Sequence, residues 1–314
     1  MRIVFMGTPD FAVESLKILV ENHYEVVGVV TMPDKPSGRG YKLQYSAVKQ
    51  YALDHQLTLL QPEKLKDPSF IEQLRALKAD LQIVVAFRML PEVVWNMPTL
   101  GTFNLHASLL PQYRGAAPIN WAIINGEKIT GATTFFLTHE IDTGKIILQE
   151  KISINDDDNA GTIHDKLMLL GAQMVKKTVD MIASGKTDAL DQSVFISGDA
   201  ELKTAPKIFK ETCQLDFNST VEAVHNMVRG LSPYPAAWAE LQLPGQSDKA
   251  VYKIFETQME LMEHQYPSGT ILSDHKSFLK IALQDGFISL KNIQAPGKKR
   301  MDVADFLRGL RLIV

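Results

Sequence analysis

The sequence predicts an α/β domain built on a parallel sheet, followed by a smaller β-barrel. Three observations carry this reading. In the first half, continuous β-branched runs such as "RIVFMG", "EVVGVVT" and "ADLQIVVAF" alternate with helical segments, the texture of a parallel sheet covered on both faces. From about residue 210, short strands recur between turns, as in a small barrel. A chain of 314 residues is also long for one ordinary domain and comfortable for two.

Taken in order, "RIVFMG" reads as a buried strand and "GTPDFA" as the turn into a helix running to about Asn22. "EVVGVVT" is a second strand, "SAVKQYALDH" a helix, "ADLQIVVAF" a third strand, "LPEVVWNM" a short helix and "GTFNLH" a fourth strand. "GATTFFLT" and "GKIILQEKISI" follow as further strands or a hairpin. A long amphipathic helix then spans "AGTIHDKLMLLGAQMVKKTVDMIASG", its apolar stripe running through Ile163, Leu167, Leu170 and Val175. Residues 185–209 lose regular periodicity and read as a linker. Beyond it, "STVEAVHNMVRGL" is a helix, and "PAAWAEL", "AVYKIFETQME", "GTILS", "FLKIAL" and "GFISLKNIQ" are strands.

Composition narrows the class. Apolar residues make up 45% and charged residues 22%, as in a globular protein and unlike a disordered or membrane chain. A net charge of -3 gives no global attraction for polyanions, so nucleic-acid binding would need local patches. The single cysteine, Cys213, excludes an intrachain disulfide and a thiolate zinc cage and fits a reducing cytosol. With no evident signal peptide and no apolar run near the roughly 20 residues that span a bilayer, a cytoplasmic protein is expected.

In parallel sheets reactive groups gather beyond the carboxyl ends of the strands. Asn104 and His106 lie at such an end, and period 2 points both to one side. The asparagine amide can donate to a carbonyl oxygen, and the imidazole can carry a proton near neutral pH. A carboxylate is needed to orient that imidazole, and Asp142, in "EIDTGKI", is a candidate. Amide, imidazole and carboxylate together suit transfer of an acyl group between two amines: one amine loses a proton, the other gains one, and the oxyanion needs donors. No GxSxG or HExxH motif points to a serine nucleophile or a metal, and none is expected. An Asn-x-His pair at a strand end also fits a structural pair, however. Asp142 beside Gly144 also fits a plain turn, and spacing alone does not bring Asp142 to His106.

"NLHASLLPQYRGAAPINWAIINGE" followed by "TGATTFFLTHEIDTG" strongly resembles the folate-dependent formyltransferases. "IVFMGTPDFA", "MPDKPSGRGYKL", "VRGLSPYPAAW" and "QAPGKKRMDVADFLRG" resemble the members that act on charged tRNA, and the match runs in order through both halves of the chain. The resemblance implies a Rossmann-like formyltransferase catalytic domain over 1–189, a linker over 190–209 and an OB-like tRNA-binding domain over 210–314. It implies formyl transfer from 10-formyltetrahydrofolate, as cosubstrate, to the α-amino group of methionine on initiator methionyl-tRNA, for translation initiation. The family's catalytic asparagine, histidine and aspartate fall on Asn104, His106 and Asp142. Its folate-contacting turn falls on Ser108, Leu109, Leu110 and Pro111, with turn capping as the other role open to Ser108. A monomer, with no membrane partner, is expected.

Two departures stand out. Before "LP", the members acting on tRNA usually read Ala-Tyr-Gly plus two apolar residues, whereas this chain has "AFRMLP". Arg88, Met89 and Leu90 look more like glycinamide ribonucleotide formyltransferase, whose backbone there meets the pterin ring. "LTHE" also lacks the usual acidic-x-Gly, and His139 within it reads as a solvent-facing side chain, with a second proton-active group as the other role open to it. For the partner, the basic glycine-rich loop holding Lys35, Arg39 and Lys42 lacks a GxxxxGK[ST] phosphate loop, and the resemblance implies that it wedges into the tRNA acceptor end. Lys207, Lys210, Lys298, Lys299 and Arg300 are further candidate tRNA contacts, of the kind that position a backbone without reading sequence. A dinucleotide-dependent oxidoreductase is disfavoured because "GTPDFA" lacks GxGxxG.

Overall fold

The computed structural model describes residues 1–37, 42–196, 198, 201–243, 246 and 248–310, which group into two compact units. The first comprises Met1–Gly115, Thr130–Ile152 and His164–Thr204. The second comprises Ala116–Ile129, Ser153–Ile163 and the chain from Ala205 onward. Among the described residues no helix is long and apolar enough to cross a membrane.

The elements run β1 (Arg2–Gly7), α1 (Asp10–Glu21), β2 (Glu25–Val30), β3 (Lys35–Ser37), β4 (Lys42–Gln44), α2 (Ala47–Asp54), β5 (Leu59–Leu60), α3 (Pro68–Ala76), β6 (Leu81–Val85), α4 (Glu92–Trp95) and β7 (Thr102–His106). They continue as β8 (Arg114–Gly115), α5 (Pro118–Ile124), β9 (Ile129–Phe136), β10 (Ile146–Ser153) and α6 (Ala160–Ala183). The main sheet has seven strands in the order β10-β9-β7-β6-β1-β2-β5. Pairing from β5 through β7 is parallel. Ile3, Val4, Phe5 and Met6 are all fully buried, so both faces of β1 are covered, as the unbroken apolar run requires.

The sheet is nevertheless mixed, because β9 pairs antiparallel with β7. A parallel return needs a crossover element packed on the same sheet. The connection after β7 carries one helix, α5, and α5 falls in the second unit.

After β11 (Thr204–Ala205), the second unit holds α7 (Val221–Leu231), β12 (Ala237–Leu241), β13 (Ala250–Leu261), β14 (Ile271–Ser273), β15 (Leu279–Ala282), β16 (Gly286–Gln294), β17 (Met301–Asp302) and α8 (Val303–Gly309). The sheet order is β12-β13-β16-β15-β14, with β17 on β16, and the pairs are antiparallel. Register shifts in β13 around Glu256 bend the long strand, as bulges do, and the sheet curls in the OB-like manner expected. Thr220 caps α7 by accepting from the Ala223 N–H. The buried stripe Val224, Val228 and Leu231 then packs with Tyr252, Ile254, Ile281 and Ile288.

Candidate active site

Strand β7 ends where its parallel neighbours end, and its last residues carry the polar groups. Asn104 stands between Val84 of β6 and Phe135 of β9, and His106 opposite Thr133. Asn104 Oδ1 is buried and has no hydrogen-bond partner among the described residues. An unpaired buried acceptor costs about 1–3 kcal/mol, so this oxygen is not serving as a structural staple.

His106 is 7% exposed. Its Nε2 lies 2.9 Å from the Tyr113 carbonyl oxygen; a carbonyl only accepts, so Nε2–H donates and the neutral ring leaves Nδ1 without a proton. Asp142 Oδ2 stands 3.8 Å from Nδ1. The fold therefore brings Asp142 beside the imidazole across 36 residues of sequence, close enough to stabilise a proton arriving at Nδ1 but longer than a direct hydrogen bond.

Asp142 is itself tightly placed. Its backbone has φ +55°, a left-handed conformation that aspartate tolerates better than most residues. The Gly115 N–H donates to its Oδ2 at 3.0 Å. Gln192 donates from Nε2 to the carbonyl oxygens of Asp142 at 2.8 Å and Gly144 at 3.0 Å. At Gly144 an added Cβ would stand 1.6 Å from the Phe136 carbonyl oxygen, so only glycine lets this loop lie against β9. Tyr113, Gly115 and Gln192 are not among the residues singled out from sequence. Two act through backbone atoms, which no side-chain motif reports, and Gln192 lies in the segment read as a linker.

The turn after His106 is braced from below. Ser108 Oγ donates to the Gln112 carbonyl at 2.7 Å, so its hydroxyl caps the turn. Thr133 Oγ1 donates to the Ser108 carbonyl and receives the Leu110 N–H, while Gln149 Nε2 donates to the Leu110 carbonyl and to Thr133 Oγ1. Leu110 and Pro111 are buried and Leu109 half-buried. Past the end of β6, a cavity of about 820 Å³ is lined by Leu65, Met89, Leu90 and Val93 among others. Met89 is 72% exposed while Leu90 is buried. The Arg88 guanidinium turns back to donate to the Glu63 and Pro62 carbonyls, so this side chain braces the rim. Burial also pushes its pKa below the usual arginine range. His139 is exposed, its ring edge-on to Trp95 and its Nε2 3.6 Å from Glu92.

Among the candidate tRNA contacts, Lys35 and Lys42 fall on β3 and β4, which pair as an antiparallel ribbon with Ser37 opposite Lys42; Arg39 lies outside the described residues. In the second unit Lys207 and Lys210 are exposed, each with its ammonium over a ring, Phe209 and Trp238 respectively. Lys298 and Lys299 are exposed. Arg300 stacks on Phe255, 4.5 Å from the ring centre, and donates to Asn292 Oδ1.

Comparison with known proteins identifies the family. The formyl transferase family model matches residues 1–179, and the model for the formyl transferase C-terminal domain matches residues 207–311. The methionyl-tRNA formyltransferase of Parabacteroides distasonis is 62% identical over 314 residues, covering 100% of this chain and 97% of the relative. That of Bacteroides thetaiotaomicron is 61% identical, covering 99% and 96%. Among solved structures, HypX from Aquifex aeolicus in complex with tetrahydrofolic acid superposes with a TM-score of 0.63 at 19% identity, covering 98% of this chain and 47% of that one. The sugar 3N-formyl transferase WlaRD superposes with a TM-score of 0.63 at 20% identity, covering 95% and 99%. These two show the fold; the family follows from the domain models and from relatives similar end to end. The chain belongs to the formyl transferase family, in its methionyl-tRNA formyltransferase branch.

Proposed function

We propose that this chain transfers the formyl group of 10-formyltetrahydrofolate to the α-amino group of methionine on initiator methionyl-tRNA, supplying translation initiation in the cytoplasm as a monomer. The observation that carries the chemistry is the grouping, at the end of β7, of the Asn104 amide, whose Oδ1 has no partner among the described residues, the His106 imidazole and the Asp142 carboxylate. Residues 1–189 hold this chemistry in the reading, and 210–314 hold tRNA.

The attacking amine sits α to an ester, and electron withdrawal leaves much of it neutral near pH 7. A strong base is unnecessary, and positioning with oxyanion donors supplies most of the rate. Asn104 donates its amide N–H to the oxygen that gains charge at the formyl carbon. As the methionine nitrogen bonds to the formyl carbon, His106 takes up its proton at Nδ1, since Nε2–H is held by the Tyr113 carbonyl. Asp142 stabilises the resulting cation, and the proton passes to N10 of the folate as the bond between the formyl carbon and N10 breaks. Leu109, Leu110 and Pro111, with Arg88, Met89 and Leu90, form the folate-contacting walls, and the Ser108 hydroxyl caps the turn that carries them. Lys35, Arg39 and Lys42 grip the acceptor end, and Lys207, Lys210, Lys298, Lys299 and Arg300 hold the phosphate backbone.

The test offers charged initiator tRNA and glycinamide ribonucleotide in competition, with one labelled formyl donor. Label is expected on the methionine amine; label on the small amine alone would overturn the assignment. Turnover should collapse in His106→Ala while tRNA still binds, and normal turnover in that variant would remove the histidine from the mechanism.

A further inference from the structure

The segment after α6 has a part in the site that its sequence does not announce. Leu190 pairs with Ile146 through two backbone hydrogen bonds of 2.8 and 2.9 Å, which lays the following residues beside the Asp142 loop. Two residues on, Gln192 is 5% exposed, and every hydrogen-bonding position of its amide is used. Nε2 donates to the carbonyls of Asp142 and Gly144. Oε1 accepts from Arg114 Nε at 3.1 Å and from its NH2 group at 2.6 Å. Arg114 directly precedes Gly115, whose N–H holds the Asp142 carboxylate. One amide thus joins the two chain segments whose separation fixes where that carboxylate stands.

We propose that Gln192 is a positioning residue for formyl transfer, setting the place of the Asp142 carboxylate against His106. The inference rests on the catalytic reading of Asp142 given above. Asp142 holds a left-handed backbone with φ +55°, a conformation that persists only when its surroundings fix it, and the Gln192 donors fix both carbonyls flanking Thr143. Displacement of a catalytic group by about 1 Å costs up to about a hundredfold in rate.

The experiment is a double-mutant cycle on the full-length chain, with tRNA binding as the control for folding. Gln192→Met preserves size and removes all four hydrogen bonds. Gln192→Glu can still accept from Arg114 but turns carboxylate oxygens on the two carbonyls. Each should lower kcat by about tenfold to a hundredfold, with KM for tRNA and for the formyl donor within about twofold of the parent. In an Asp142→Asn background the same changes should cost less than about a further twofold, because the group they position no longer acts. Unaltered kcat in both single variants, or losses that multiply across the cycle, would overturn the inference while leaving Asp142 in its role. If Asp142→Asn itself turns over normally, the catalytic reading fails and Gln192 falls with it.

Discussion

At the scale of single residues, the site is marked by groups the fold leaves uncommitted or strained. Asn104 Oδ1 is buried without a partner among the described residues, whereas neighbouring polar atoms such as Thr133 Oγ1 make several hydrogen bonds. If the Asn104 N–H donates to the developing oxyanion as proposed, Asn104→Ala should lower kcat by about two to three orders of magnitude and leave tRNA affinity nearly unchanged. Loss of affinity alone, measured by filter binding, would contradict the donor role. Gly144 is constrained differently. A Cβ there meets the Phe136 carbonyl oxygen at 1.6 Å, so Gly144→Ala must push the Asp142 loop away from β9. Its expected cost is about 1–3 kcal/mol of stability together with reduced turnover, read by thermal unfolding and initial rates. Residue types were legible here: an amide and an imidazole two apart, and a carboxylate in a Thr-Gly turn. The 3.8 Å between Nδ1 and Asp142 was not, because no periodicity relates residues on separate strands and loops.

Among the elements, α7 shows how a helix read from its apolar spacing takes on further duties. Gly230 lets it approach α5 closely, a Cβ there standing 2.5 Å from Ile124 and 3.0 Å from the Asn120 carbonyl. Arg229 donates to the carbonyls of Asn155, Asp156 and Asp158 and to Asn226 Oδ1, gathering an acidic turn around one buried cation. Beside it His225 is held near Thr257, and burial, then the charge of Arg229, depresses its pKa from 6.5 to about 4. The unfolded chain therefore binds a proton that the folded helix refuses between about pH 6.5 and 4. Stability from this residue is complete above pH 6.5 and lost as pH falls toward 4. His225→Gln should flatten the acid side of the stability profile in that window, measured by urea unfolding at several pH values; an unchanged profile would show that the histidine titrates alike in both states. Not every element was read. α3 begins with Asp67 accepting from the Ser69 N–H and Pro68 in its first turn, a start signal that the sequence carries without a long apolar periodicity behind it. α5 was obscured by the proline- and glycine-rich stretch before it.

For the molecule as a whole, electrostatics and chain path matter most. A net charge of -3 means tRNA must be attracted locally. From Lys203 onward the sequence holds 14 Lys/Arg against 12 Asp/Glu, too slight an excess to act unless clustered. If Lys298 and Lys299 contact phosphates, replacing both with alanine should weaken tRNA binding and lower the slope of log affinity against log salt by roughly 1.5, with kcat at saturation preserved. An unchanged slope would make them ordinary surface lysines. The sequence by itself determined the order of strands and helices, the two-part architecture and the chemical types at the site, since apolar periodicity and motifs are local properties of the chain. Tertiary structure alone decided that residues 116–129 and 153–163 fold with the second unit, that β9 runs antiparallel to β7 and that Gln192 reaches the Asp142 loop. Each of these depends on which distant segments close on one another, and that is set by burial and hydrogen-bond satisfaction summed over the whole fold rather than by any stretch of sequence.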